Sequence, residues 1–191
     1  MSLDRARDEE LMARVAVGNR EAMTPLLRRY ASPLLTFIQR MVGNRHRAEE
    51  VFQDVFLAVW KSRRQYEFPR PFKSWLFGIA ANKCRGDFRK PGAQLALLMF
   101  DPESSSGSAK CDSPVETAIA TETATLVAQG VATLPPQQRT VLVLRIWNGQ
   151  EYSEIAAALD RAESTIRSDM FHALSAMRRY LEPRLRQPKE I

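Results

Sequence analysis

Apolar residues recur at three- and four-residue intervals along nearly the whole of this 191-residue chain, and nowhere do they alternate over enough positions to make one face of a sheet. A 3.6-residue period gathers such residues into one stripe of a helix, whereas a half-buried strand needs a period of two. Glycine, at 8 residues, is too sparse to interrupt the pattern often. The chain is expected to be all-α.

The periodicity lapses once. KPGAQLALLMFDPESSSGSAKCDSP carries Pro91, Gly92, Pro102, a Ser/Gly cluster and Pro114, the composition of a flexible linker. Two small helical domains follow from this break: residues 1–90, a linker over 91–113, a second domain over 114–182, and a basic tail over 183–191. Within the linker, residues 95–100 are apolar and read as a patch that docks on a partner or on one module, or else as a short helical turn. Two modules on one tether can hold two sites at once.

In the first module the spacing predicts helices over 3–17, 21–42, 47–63 and 71–90. Gly18-Asn19 and Gly43-Asn44 close the first two, and Pro25 and Pro33, each lacking an N–H donor, predict a kink or break in the second. The second module should hold a helix over 115–132, another opening at Pro135-Pro136 and running to about residue 147, and two shorter helices.

The last two carry the most specific motif, GQEYSEIAAALDRAESTIRSDMFHALSAMRRYL. Ile155, Ala156 and Leu159 form an apolar stripe, and small Ala156 permits a close crossing. A polar turn over 160–163 leads to a helix capped by Ser164 and buried through Ile166, Met170 and Leu174. Its outer face then presents Thr165, Arg167, Ser168, Asp169 and His172, side chains able to bond bases or phosphates. This is a helix-turn-helix, whose second helix enters the major groove of DNA. A net charge of +6 and a pI near 9.7 favour a polyanionic partner, and Arg178, Arg179, Arg184 and Arg186 extend the basic surface.

HRAEEVFQDVFLAVW in the first module has two faces. Val51, Val55, Leu57 and Val59 are read as inward, while Glu49, Glu50, Gln53 and Asp54 gather opposite, with Phe52, Phe56 and Trp60 enlarging either a core or a partner surface. In the following KSRRQYEFPRPFKSWLFGIAANKCRGDFRK, cations are interleaved with aromatics. That suits single-stranded DNA, because the cations track the backbone and the rings support unstacked bases. Trp75, Leu76, Phe77 and Ile79 sit at core spacing. The loop over 66–72 contains proline and has no evident core role.

Other chemistries are poorly represented. Walker-type glycine loops, nucleophile elbows and metal-ligand clusters are missing from the sequence, so neither an enzyme nor a cofactor is expected. Cys84 and Cys111 form no C-x-x-C pair, and with His46 and His172 as the only histidines no zinc site is expected; buried or incidental thiols in a reducing compartment fit best. The charged start MSLDRARDEE is no secretory signal and no stretch reaches the roughly 20 apolar residues of a membrane span, so the expected location is cytoplasmic.

Taken together, AEEVFQDVFLAVW, FKSWLFGIAANKCRGDFRK, LPPQQRTVLVLR and EYSEIAAALD resemble, in order, the second and fourth regions of the extracytoplasmic-function (ECF) sigma factors of bacterial RNA polymerase. The resemblance spans nearly all of the chain except the linker and the last few residues. It implies a subunit that binds core polymerase and directs promoter-specific initiation. By that resemblance Glu49, Glu50, Gln53 and Asp54 would face the clamp helices of the largest polymerase subunit, with the second-largest subunit also a partner. Arg63, Arg64, Tyr66, Phe68, Arg70, Phe72, Lys73, Asn82, Lys83, Arg85 and Asp87 would melt and read the −10 element. Ser164, Thr165, Arg167, Ser168, Asp169, His172 and Arg178 would read the −35 element as duplex. The acidic linker residues Asp101, Glu103 and Asp112, set against Lys110, would lie along the RNA exit path. An anti-sigma factor is a further implied partner.

Two departures stand out. Asp160 occupies a turn position where relatives commonly have glycine, and aspartate tolerates the left-handed conformation better than most residues. Asp169 stands where a basic residue is common; it cannot neutralise a phosphate but could accept from cytosine N4. Two elements about two helical turns apart lie roughly 70 Å apart, and about 25 linker residues extend to roughly 80 Å. The competing reading is a stand-alone helix-turn-helix regulator whose first module binds an effector or dimerises.

Overall fold

The computed structural model describes residues 3–87 and 114–186, and among them all regular structure is helical. After a 3-10 turn at Leu3–Arg5 come α1 (Asp8–Ala16), α2 (Met23–Val42), α3 (Arg45–Lys61), a second 3-10 turn at Arg63–Gln65 and α4 (Phe72–Asp87). The second module holds α5 (Pro114–Thr133), α6 (Pro136–Ile146), α7 (Tyr152–Leu159) and α8 (Glu163–Leu185). The linker's apolar patch at 95–100, its acidic residues and Cys111 lie outside the described residues.

Each boundary has a local cause. Asn44 caps α3 by accepting from the Arg47 N–H at 2.8 Å. Gly43 closes α2 in the left-handed conformation. At the start of α7, Glu154 reaches back to the Glu151 N–H at 2.7 Å, one half of a capping box. In the first module, α2, α3 and α4 enclose Leu34, Phe37, Ile38, Val51, Val55, Leu76 and Phe77, and the Phe37 and Phe77 rings meet edge-on at 5.5 Å.

Several expectations need correcting. A break at Pro25 or Pro33 does not occur: α2 runs unbroken for 20 residues. Pro25 falls in the first turn, where an N–H has no partner within the helix, and burial of Leu34, Phe37, Ile38 and Met41 holds the helix together past Pro33. The final helix is not short: α8 has 23 residues, carries Pro183 within it, and so crosses the boundary drawn at 182. Its cap is Ala162 rather than Ser164, and its buried stripe is Ile166, Met170, Ala173 and Met177; Leu174 is 49% exposed. Leu57 likewise points outward at 49% exposure. In both cases the burying neighbour helix lies along a slightly rotated stripe.

The two modules share one continuous apolar core. α7 lies on α4 and α6 on α2. Gly78 of α4 is what allows the first approach, since a Cβ placed there would run into the carbonyl oxygen of Ala158. Arg139, 3% exposed, donates to Val131 O, Ala132 O and Leu134 O at the end of α5, and crosses to Met41 O of α2 at 3.3 Å. Asn148 Nδ2 donates to Pro33 O at 3.1 Å, and the Arg40 guanidinium lies 4.7 Å from the Trp147 ring centroid.

Candidate nucleic-acid interface

On α3, burial of Val51, Val55 and Val59 turns Glu49, Glu50, Gln53, Asp54 and Leu57 to solvent along one face. Glu49 pairs with Arg45 at 3.3 Å, and Glu50 pairs with Arg47 at 2.5 Å and lies 3.5 Å from His46. Gln53 and Asp54 are exposed. The result is an acidic strip with one leucine in it, a surface suited to a basic, partly apolar helix.

The loop and α4 residues divide. Arg64, Phe68 (55% exposed), Arg70, Asn82, Lys83 and Arg85 face solvent, and Lys73 is half-buried. Arg63 donates to Trp60 O at 2.8 Å and lies 4.2 Å from the Trp60 ring, so its guanidinium is committed to the end of α3. Asp87 ends α4, and its side chain is outside the description. Tyr66 and Phe72 are corrections. Far from lacking a core role, they are 7% and 0% exposed and cluster with Trp75, at ring distances of 5.3 and 6.2 Å from it. The Tyr66 hydroxyl donates to Arg70 O, which folds the loop back on the core. Burial pushes the Tyr66 phenol up to about 12. Trp75 is core, as its spacing indicated, and Cys84 is fully buried.

In the helix-turn-helix, Asp160 adopts the left-handed conformation at φ 52°, the one its identity suggested. Ser164, Arg167, Ser168, His172 and Arg178 are exposed along α8, and Thr165 is half-buried. Arg178 lies 3.7 Å from Glu182. Asp169 does not project alone: its Oδ2 accepts from Arg161 Nη1 at 2.6 Å, tying the turn to the helix. Arg167 is also held, by Glu163 and by the ring of Tyr152. Three participants escaped sequence reasoning. Arg161 and Tyr152 reach α8 only through the turn geometry, and Phe171, 68% exposed beside His172, departs from the polar face expected there. The four-residue step from Glu163 to Arg167 was visible as an ion-pair spacing. Among the described residues no group of three His, Cys, Asp or Glu is placed to hold a metal. Nor is any helix among them long and apolar enough to cross a membrane.

A helix-turn-helix with an exposed, arginine-bearing second helix, joined to a module with its own cationic face, defines a DNA-reading protein. Comparison with known proteins makes the assignment specific. The Sigma-70 region 2 family matches residues 26–93 and the Sigma-70, region 4 family matches residues 125–177. The RNA polymerase sigma-H factor of Pseudomonas aeruginosa is 28% identical, over 97% of this chain and 99% of that protein. The ECF RNA polymerase sigma-E factor of Escherichia coli K12 is 26% identical, over 94% of this chain and 97% of its own. Among solved structures, CnrH in complex with the cytosolic domain of CnrY superposes with a TM-score of 0.69 at 23% identity, covering 92% of this chain and 97% of that one. RpoE in complex with the anti-sigma factor NepR, from Bartonella quintana, gives 0.63 at 21% identity, covering 84% and 96%. These two likenesses show a shared fold. The chain belongs to the ECF sigma factors, which are transcription initiation factors rather than enzymes.

Proposed function

We propose that this chain binds core RNA polymerase in the cytoplasm through the α3 face of Glu49, Glu50, Gln53 and Asp54, with Leu57 as its apolar centre. Arg64, Phe68, Arg70, Lys73, Asn82, Lys83 and Arg85 then engage the −10 element as its strands separate. Phe68 is the exposed ring available to support an unstacked base. Ser164, Thr165, Arg167, Ser168, His172 and Arg178 engage the −35 element as duplex, with Arg161 rather than Asp169 as the additional polar contact. The observation that carries this reading is the ordered pair of modules, each with its own solvent-facing basic surface, and a separate acidic face on the first.

An anti-sigma factor is a proposed partner as well, because both structures described above hold such proteins or a cytosolic domain on the same fold. In the closed arrangement the two DNA-facing surfaces sit side by side, with Arg85, Arg161 and Asp169 lining one cleft. Reading two elements about 70 Å apart requires the modules to separate. A run-off assay tests the whole reading: core polymerase plus the purified chain should give promoter-specific transcripts from its own genome. Failure on every promoter of that genome would sink it.

A further inference from the structure

Arg167 is the fifth residue of α8, near the end of that helix which a helix-turn-helix presents to base edges, and its side chain is well exposed. An exposed arginine ordinarily samples many rotamers, and ordering it costs part of what it gains on binding. Here two neighbours restrict it. Its Nε and Nη2 both donate to Glu163 Oε1, at 2.9 and 2.6 Å. Its guanidinium carbon lies 4.5 Å from the centroid of the Tyr152 ring. That ring also lies 5.0 Å from the guanidinium of Arg145, which is itself tied to Glu151 at 2.9 Å and to Gln150 O at 2.9 Å. Tyr152 is thus anchored to α6 as well as to α8.

The geometry of the fork decides what remains. Five N–H groups lie in one plane, and Glu163 occupies the side edge formed by Nε and Nη2. The end edge, Nη1 with the outer hydrogen of Nη2, stays open and points along the side chain. Two parallel donors at that spacing match the O6 and N7 acceptors of guanine in the major groove. A lysine at this position could not reproduce the pair.

We propose that Glu163 and Tyr152 are positioning residues that hold the end edge of Arg167, itself already assigned to the upstream element, toward a guanine of that duplex. The inference rests on the helix-turn-helix acting as the −35 reader. Its consequence is a division of labour. Glu163 places a negative charge beside DNA, lowering sequence-independent attraction, while it restricts the arginine and so raises discrimination.

The test is in vitro selection from duplex DNA randomised across the upstream element, using the full chain bound to core polymerase. Wild-type protein should enrich guanine at one position. Arg167→Lys should abolish that preference, by about 5- to 100-fold, and leave the other positions ranked as before. Glu163→Gln and Tyr152→Leu should each weaken it about two- to fivefold at the same position, while affinity for unrelated duplex stays level or rises. Tyr152→Phe, which keeps the ring, should restore it, separating loss of the stack from loss of fold. A uniform fall at all positions in Arg167→Lys, with a smaller dependence on salt, would make Arg167 a phosphate contact and overturn the inference while leaving the −35 reading standing. Unchanged guanine preference in both Glu163→Gln and Tyr152→Leu would remove the positioning roles. Wild-type protein that enriches no sequence would overturn the −35 reading and the inference with it.

Discussion

Gly78 of α4 and Ala158 of α7 meet backbone to backbone, at a separation that leaves no room for a single added methyl group. The contact joins the helix that carries Asn82, Lys83 and Arg85 to the first helix of the helix-turn-helix. Gly78→Ala should therefore wedge them apart. Overpacking of this kind costs about 1–3 kcal/mol. Small-angle scattering should show a larger radius of gyration than wild type; an unchanged radius would mean that the helices slide rather than part.

Asp54 lies exposed in the acidic strip of α3, away from the core. Asp54→Lys should weaken association with core polymerase while leaving the thermal midpoint within a few degrees of wild type, since surface substitutions rarely change stability by more than about 0.5 kcal/mol. Native gel or fluorescence titration against core enzyme reads the first quantity and calorimetry the second. Equal loss of both would place Asp54 in the structure rather than in an interface.

Asp169 neutralises Arg161 at 2.6 Å. Asp169→Asn removes a negative charge from the DNA-facing side of α8 and releases Arg161. Affinity for unrelated duplex should rise, because one more cation is free to face the phosphates, and should fall off with added salt at least as steeply as in wild type. Weaker binding in filter or anisotropy assays would show instead that Asp169 contacts the DNA itself.

Tyr66 has its phenol pushed up to about 12 by burial, from an ordinary value of 10.0. A raised folded-state value means that the contribution is whole below pH 10 and is lost as the pH climbs toward 12. Tyr66→Phe should flatten part of the alkaline loss of stability in that window. Urea denaturation at pH 9 and pH 11 measures it, and identical slopes for the two proteins would refute the assignment.

Arg139 donates to carbonyls of both modules from a buried position, and burial lowers it to about 10. Arg139→Met keeps much of the volume but strips the donors from several carbonyls. Each orphaned polar group costs about 1–3 kcal/mol, and the sum should be visible as a lower denaturation midpoint. A neutral outcome would mean that water replaces the guanidinium.

Much of this organisation is legible in the residues alone, for physical reasons. Helix type and order follow from the spacing of Leu34, Ile38 and Met41, or of Val51, Val55 and Val59, because a period is a property of the chain itself. The left-handed Asp160 follows from its side-chain chemistry. The burial of Tyr66 and Phe72 is not legible because a proline-containing loop carries no period, and only tertiary contact with Trp75 draws it inward. The outward turn of Leu57 and Leu174 is not legible because apolarity does not say which way a residue points; helix rotation is set by the neighbouring helix. The pairing of Arg161 with Asp169 spans eight residues and a turn, beyond any local pattern.

The contacts that hold the modules together have a character with its own consequence. Arg139, Asn148 and Arg70 each reach across to a backbone carbonyl, of Met41, Pro33 and Ala157. Main-chain acceptors carry no net charge, so these bonds are nearly indifferent to the ionic atmosphere, whereas attraction to the phosphate backbone weakens steeply as ions accumulate. If the modules part to engage DNA as proposed above, the folded-back and DNA-engaged forms respond to added salt on different scales. Added salt would then shift the balance toward closure by loosening the grip on the template, without strengthening the latch at all.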